Sequence, residues 1–187
     1  MVPMLSRLNE MDIRFTSKLH LQSDGGFIKG AAAFAAHSGD SWFDLAATLL
    51  LWLFSRNPWH SMAALMTGGI IILALLVIVV KFRIGRRRPE GEWGAIYRNT
   101  DPHSFPSGHA ARTAMLAFLA FAFAPAWLGW VLSAWCILVC LARVSLHVHY
   151  LSDVLAGILV GILAGWLVSA AAPFLISSLP WFFKPFF

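Results

Sequence analysis

Residues 61–82 read SMAALMTGGIIILALLVIVVKF, an apolar run that carries no charge until Lys81. A helix needs roughly 20 predominantly apolar residues to cross the hydrocarbon core of a bilayer. Residues 154–172, VLAGILVGILAGWLVSAAA, form a second uncharged run of this kind. The two stretches predict membrane-spanning helices and indicate an integral membrane protein.

The composition of the whole chain agrees with a bilayer location. Hydrophobic residues make up 59% of the 187 residues and charged residues 12%, whereas a soluble domain carries about 25% charged residues. A chain this short holds about six spans and little else, so we expect residues 1–187 to form a single membrane-embedded domain. The net charge of +5 comes from arginines clustered between apolar runs, which argues against nucleic acid as a partner and favours local anion binding.

Four weaker apolar segments complete a predicted bundle. Pro125 separates two of them and predicts a helical hairpin, whereas Lys29 and His37 interrupt the first and make it the weakest candidate. The sequence predicts an all-α integral-membrane bundle of six transmembrane helices, with five helices plus an interfacial N-terminal helix as the alternative. In chain order the six segments are residues 26–38, 42–55, 61–82, 107–124, 126–142 and 154–172.

Small residues recur along the last segment. Gly157, Gly161 and Gly165 lie four residues apart, a spacing that lets two helix backbones approach closely in a membrane. We therefore predict that this glycine face packs against another helix.

Three polar clusters lie where a predicted helix meets a loop, and alternating spans bring all of these helix ends to one side. Ionisable residues at a membrane boundary are costly unless they are paired or functional. The clusters therefore predict a functional site at one end of the bundle. They are Lys81 with Arg88 and Pro89, then Pro106-Ser107-Gly108-His109, then Arg143 with His149 and Asp153.

The first role expected of these clusters is phosphate binding. Arg88 and Arg143 each offer forked donors, and Lys81 offers a point charge. Ser107 and Gly108 add hydroxyl and backbone donors at a helix N-terminus, which favours anions. We predict that these five residues form a phosphate cradle.

The second role is nucleophilic chemistry by a pair of histidines. His149 and Asp153 are four residues apart, so on one helix they share a face and the carboxylate can fix the imidazole tautomer. His149 is then the predicted nucleophile and Asp153 its orienting group. His109 is the predicted general acid that protonates the departing alkoxide.

The three clusters resemble the type 2 phosphatidic acid phosphatase superfamily, whose signature is Lys-x6-Arg-Pro, then Pro-Ser-Gly-His, then Ser-Arg-x5-His-x3-Asp. Order and spacing match from Lys81 to Asp153, with one departure: Ala142 stands where the family usually has serine. The resemblance implies a bacterial-type membrane lipid phosphatase that works through a phosphohistidine, without metal or cofactor. It also implies a substrate such as undecaprenyl diphosphate, phosphatidylglycerol phosphate, phosphatidate or a lipid A phosphate.

The resemblance implies a location in the bacterial plasma (inner) membrane with the site facing the periplasmic or extracellular side. Charges point the same way in the six-span arrangement, because the cations outside the site all fall on the opposite face. These cations are Arg7, Arg14, Lys18, Arg56 and Lys184. Cytoplasmic loops are enriched in such residues.

Several alternatives stay open. A phosphotransferase would pass the phosphoryl group from His149 to another acceptor, and a lipid transporter or scramblase would bind head groups without chemistry. Arg112 either contacts a second phosphate or head group, or extends to the interface. Arg86 is expected to be a positively charged flank, and His37 a packing residue without a role in the site.

Overall fold

A computed structural model of the chain describes residues 2–21, 26–90 and 101–185, with side chains from residue 9 onward. Within these ranges the regular elements are helices, accompanied by an isolated antiparallel bridge between Arg87 and His103. The all-α prediction is confirmed for this part of the chain. The helices are α1 (Val2–Lys18), α2 (Phe27–Ser38), α3 (Ser41–Phe54), α4 (Trp59–Ile84), α5 (Gly108–Phe123), α6 (Ala126–Ser145), α7 (Leu151–Ser178) and α8 (Pro180–Phe183).

Three of these helices have the length and hydropathy of membrane spans: α4 with 26 residues, α6 with 20 and α7 with 28. Helices α3 and α5 are apolar but shorter. Large apolar side chains on the long helices face outward, and their exposure is favourable only in lipid. They include Ile72, Leu75, Trp130, Leu159 and Trp166. The chain is therefore an integral membrane protein.

Helix α5 forms the centre of the bundle, where α4, α6 and α7 pack around it, and every residue from Ala110 to Ala117 is buried. The predicted hairpin is present, since α5 ends at Phe123 and α6 begins at Ala126. The glycine face of α7 packs on α5, as predicted. A Cβ added at Gly157 would lie 2.5 Å from Ser107 O, and one at Gly161 would overlap the Ala111 carbonyl.

The first predicted span, residues 26–38, forms α2, which has 12 residues and is about 18 Å long at 1.5 Å per residue. Both of its flanks contact the same end of the bundle. Leu21 N donates to Ser145 O (3.0 Å), and Arg112 donates to Gly39 O. Helix α2 does not connect the two ends of the bundle, and the count of six transmembrane helices is not confirmed.

Helix α1 lies against the start of α7, where Asp12 Oδ1 accepts from Ser152 N (3.0 Å). This contact satisfies one of the amide groups that a helix leaves unpaired at its N-terminus. Arg14 and Lys18 share α1 and so lie at the end of the bundle that carries the predicted site. The expectation that both fall on the opposite face is wrong, because α2 does not carry the chain across.

Candidate active site

Helix ends bring the three motifs to one end of the bundle. Lys81 lies in the last turn of α4, which Gly85 ends with a φ of 65°, a left-handed conformation that glycine adopts easily. Ser107 is the N-cap of α5, and its backbone N donates to Asp153 O (2.9 Å) near the start of α7. Arg143 lies in the last turn of α6. The predicted convergence of the motifs is therefore present.

Arg88 joins the first motif to the third. Its Nη1 donates to Val148 O (3.0 Å) and lies 3.1 Å from His149 Nε2. Both side chains are buried, with His149 1% exposed. A guanidinium only donates, so the His149 Nε2 that faces it must accept. This contact assigns the lone pair to Nε2 and the ring proton to Nδ1.

His149 is uncharged in this environment. Burial lowers the pKa of His149 well below its usual range, and the positive charges of Arg143, Arg88 and Lys81 lower it further. The residue lies in the turn between α6 and α7, where Arg143 O accepts from its backbone N (3.2 Å). A neutral imidazole that carries its lone pair on Nε2 is the form that a nucleophilic histidine requires.

Asp153 lies behind His149, but the two residues do not share a helix as predicted. Helix α7 begins at Leu151, and Asp153 accepts from Tyr150 N (2.9 Å) in the capping box that starts this helix. His149 Nδ1 lies 3.6 Å from Asp153 Oδ2, which is longer than a hydrogen bond. The carboxylate faces the Nδ1 side of the ring and acts on it through charge.

Arg86 is a site residue that the sequence analysis missed, because we interpreted it as a charged flank. Its Nη1 donates to Asp153 Oδ1 (2.6 Å), and its Nη2 donates to Asp12 Oδ2 (2.7 Å). The guanidinium also lies 4.0 Å from the centre of the Tyr150 ring, close enough for a cation–π contact. Arg86 thus compensates the buried charge of Asp153 and ties it to α1.

A carboxylate occupies the space between the cations of the predicted cradle. Asp101 Oδ2 accepts from Lys81 Nζ and from Arg88 Nη2, the latter at 2.7 Å. Lys81 and Arg88 are buried, whereas the Asp101 side chain is 40% exposed. The arrangement demonstrates that these two cations can bind one anion together, and it leaves that anion in contact with water.

His109 contacts a residue that no sequence motif indicated. Its Nε2 lies 2.7 Å from Asp40 Oδ1, in the turn between α2 and α3. The other oxygen of Asp40 lies 3.0 Å from His37 Nδ1. Burial alone would raise the pKa of Asp40, but hydrogen bonds from His109 and His37 outweigh it and lower this pKa to about 2. Asp40 is therefore an anion at neutral pH.

Arg112 lies one helical turn beyond His109 and does not extend to the interface. Its side chain is 7% exposed, and its Nε donates to Asp44 Oδ2 (2.5 Å). It also donates to the Gly39 carbonyl. Arg112 therefore holds the turn that carries Asp40, a structural role that neither of the two expectations included.

A cavity of about 320 Å³ opens beside the site. Lys81, Gly108 and His109 line its polar end. Ile70 and Leu73 line its apolar end, about two to three turns from Lys81 on α4. A cavity with a charged head and an apolar extension suits an amphiphile whose anionic group lies at the membrane boundary.

The structure gathers all eight predicted site residues at this end, six of them buried. Among the described residues, no group of three or more His, Cys, Asp or Glu side chains has the arrangement of a metal site. The side chains gathered there are instead cations around a neutral histidine, a combination that favours an anion. The fold and the site define a membrane-embedded helical bundle that holds a buried cluster of cations around a neutral histidine at one end.

Comparison with known families agrees with this class. The model of the PAP2 superfamily matches residues 63–176, more than half of the chain and a range that includes every predicted site residue. The chain belongs to the PAP2 superfamily, and the resemblance recognised in the sequence is confirmed.

Two solved structures share the fold. One is a transmembrane PAP2 type phosphatidylglycerolphosphate phosphatase from Bacillus subtilis, with 25% identity and a TM-score of 0.71. The match covers 88% of this chain and 85% of that one. The other is LpxE from Aquifex aeolicus, with 21% identity and a TM-score of 0.67. This second match covers 83% of this chain and 93% of LpxE.

Proposed function

We propose that this PAP2 chain is a membrane lipid phosphatase that cleaves a phosphomonoester or diphosphate of a lipid through a phosphohistidine on His149. Family membership and both structural neighbours support a membrane lipid phosphatase. The observation that carries the mechanism is the position of His149 Nε2, which lies 3.1 Å from Arg88 in a buried site. A lone pair there faces the place where a phosphate would bind.

In the first step, phosphate displaces the Asp101 carboxylate and binds to the cradle formed by Lys81, Arg88, Ser107, Gly108 and Arg143. His149 Nε2 attacks phosphorus, and a P–N bond forms as the P–O bond to the lipid breaks. The electron pair of that bond leaves with the lipid oxygen. His109, as the imidazolium, gives this oxygen its proton and becomes neutral.

In the second step, neutral His109 removes a proton from water while the water oxygen attacks phosphorus. The P–N bond breaks, and its electron pair returns to His149 Nε2. Inorganic phosphate then leaves, His109 is again protonated and Asp153 has remained ionised throughout. Asp153 favours the first step because its charge stabilises the positive charge that develops on the His149 ring.

The cradle contributes through charge. In the transition state, negative charge spreads over the oxygens of the phosphoryl group, and fixed cations in a buried site stabilise it strongly. Arg88 and Arg143 are 3% and 1% exposed, so little water screens them. These charges also keep His149 neutral and ready to attack.

The substrate has a lipid tail, because the cavity that begins at His109 continues into an apolar region at Ile70 and Leu73. The leaving oxygen would lie beside His109 and its tail beyond it. Phosphatidylglycerol phosphate is the first candidate, since the Bacillus subtilis neighbour is named for it. Undecaprenyl diphosphate, phosphatidate and a lipid A phosphate complete the panel.

The test is phosphate release from this panel by purified protein in detergent, with and without a metal chelator. We expect wild type to release phosphate in both conditions and His149→Ala to lose at least about 10³-fold in rate, because the nucleophile is gone. His60→Gln is the matched control: it removes another buried histidine, at the opposite end of the bundle, and should retain activity. Undiminished release by His149→Ala would exclude the proposed nucleophile.

We also propose that the site faces the periplasmic or extracellular side of a bacterial plasma membrane, as the family resemblance implies. The positions of Arg14 and Lys18 remove the charge argument for this orientation. Exposed Glu90 replaced by cysteine in a chain without Cys136 and Cys140 provides the test. A membrane-impermeant maleimide should label intact cells, whereas labelling only after lysis would reverse the orientation.

A further inference from the structure

We propose that Asp40 is a positioning residue for the general acid: it holds His109 through Nε2, favours the protonated imidazole against the nearby cations and leaves Nδ1 to protonate the leaving oxygen. The inference rests on the proposed function and adds a residue outside the three family motifs.

The contact geometry is the first support. His109 Nε2 and Asp40 Oδ1 are 2.7 Å apart, the length of a charge-assisted hydrogen bond. An imidazolium donates from both nitrogens. With Nε2 engaged by Asp40, Nδ1 is the nitrogen that can donate to a substrate oxygen. The tautomer and ring orientation of His109 are thereby fixed, as a third group fixes the histidine of a hydrolase triad.

The second support is that the turn carrying Asp40 is held from two sides. Arg112 donates to the Gly39 carbonyl, and Trp135 Nε1 donates to Ser38 Oγ (2.9 Å). A Cβ at Gly39 would lie 3.1 Å from Val139 Cγ1, so the absence of a side chain allows the turn to approach α6. Asp40 is thus placed by contacts of its turn with α5 and α6.

The third support is electrostatic. His109 lies near the positive charges of Arg112 on its own helix and Arg143 on α6, and it shares the cavity wall with Lys81 on α4. These charges favour the neutral imidazole, yet an acid must carry its proton before the P–O bond breaks. Asp101 also lines this cavity, but it is already paired with Lys81. Among the described residues, Asp40 is the carboxylate whose contact with His109 opposes these charges.

His37 extends the contact to the surface. Its Nδ1 lies 3.0 Å from Asp40 Oδ2, and its side chain is 44% exposed while that of Asp40 is 29% exposed. The series His37, Asp40 and His109 therefore runs from the protein surface to the cavity. Hydrogen bonds from both histidines outweigh the burial that would raise the pKa of Asp40, so this carboxylate is ionised while His109 carries its proton.

The test compares two substrates in wild type, Asp40→Asn and His109→Gln. A lipid phosphate leaves as a strongly basic alkoxide and needs the acid, whereas p-nitrophenyl phosphate leaves as a weakly basic phenolate and does not. General acid catalysis contributes about 10² to 10⁴-fold, so we expect Asp40→Asn to lower lipid turnover by roughly 10- to 100-fold. The initial burst of nitrophenolate should fall by less than about 3-fold, because it reports P–O cleavage without the acid.

Two further readouts separate positioning from folding. In Asp40→Asn the alkaline limb of lipid turnover should move to lower pH, because the imidazolium has lost its anion and gives up its proton more easily. In the His109→Gln background, Asp40→Asn should have no additional effect, since it acts through His109. Glu10→Gln removes an exposed carboxylate and serves as the control for loss of charge.

The ratio of the two substrate rates does not depend on how much protein folds, so a destabilised variant still gives an answer. Equal losses on both substrates, an unshifted alkaline limb, or faster turnover in Asp40→Asn would each overturn the inference. A wild-type protein that releases no phosphate, or a His149→Ala variant that releases it normally, would instead overturn the proposed function.

Discussion

Asp101→Asn is expected to make the protein less stable and, at the same time, a better binder of phosphate. In the absence of substrate, Asp101 provides the anion that Lys81 and Arg88 share. In the proposed mechanism, phosphate replaces this carboxylate before it reaches His149. The asparagine keeps the shape of the side chain and removes the competing charge.

The size of both effects follows from the contacts. Hydrogen bonds to charged groups contribute about 1.5–3 kcal/mol each, and because Asp101 is 40% exposed we take the lower end for the pair. About 1.5 kcal/mol corresponds to a roughly 10-fold lower Ki for inorganic phosphate. Breaking a buried pair costs about 3–5 kcal/mol. Discounted for exposure to about 2 kcal/mol, this lowers Tm by roughly 4–8 °C.

The assay measures inhibition of turnover by inorganic phosphate, together with thermal unfolding in detergent at increasing phosphate concentration. The Tm of the variant should rise towards that of wild type as phosphate fills the cradle. This rise in Tm should begin at a lower phosphate concentration than the corresponding rise in wild type. Glu90→Gln, which removes an exposed carboxylate before the same loop, should change neither quantity. Weaker phosphate inhibition in Asp101→Asn would refute the competition between carboxylate and phosphate.

Three other predictions follow from the packing and charge around the site. Gly157→Ala should destabilise the protein by about 1–3 kcal/mol and lower turnover, because its Cβ would lie 2.5 Å from Ser107 O; thermal unfolding and phosphate release measure both. Arg86→Gln should lower stability by about 3 kcal/mol, since it leaves the buried charge of Asp153 without its partner. Wild type should lose more stability than His149→Gln between pH 7 and pH 5, as measured by Tm.

The sign of the pH effect follows from the lowered pKa of His149. The unfolded chain binds a proton near the ordinary histidine pKa of about 6.5, while the folded chain does not. Above that pH neither state binds the proton, and His149 adds no pH dependence to the free energy of unfolding. As pH falls from there towards the folded pKa, only the unfolded chain takes up the proton, so the folded protein loses stability. Equal pH slopes for wild type and His149→Gln would contradict this.

Gly68→Ala, where an added Cβ meets open space, is the control for Gly157→Ala.

The parts of the site that the sequence predicted are those that short motifs carry. Ser107 caps the helix that follows it, and Arg143 ends the helix that precedes His149. Each role depends on neighbours within a few positions. Alternation of the apolar segments was then enough to predict that these helix ends meet.

The residues that were missed act over long sequence separations. Asp40 reaches His109 from 69 positions away, and Arg86 reaches Asp153 from 67 positions away. No local pattern records such contacts. Residues 26–38 were ambiguous for another reason: an alanine-rich apolar segment fits a span or a surface helix equally well, and its contacts with α6 decide its position. The prediction that His149 and Asp153 share a helix was wrong, because the capping box at Tyr150 starts α7 after His149.

The central claim is that phosphate passes through His149, and the most direct measurement is to trap that intermediate. Protein mixed with a ³²P-labelled lipid phosphate and quenched in denaturant should carry label that is lost in acid and retained in alkali, as a phosphoramidate is. Peptide mapping should locate the label on His149, and His149→Ala should carry none. Label on another residue would contradict the account. So would a wild type that releases phosphate without becoming labelled, if His149→Ala releases phosphate at the same rate.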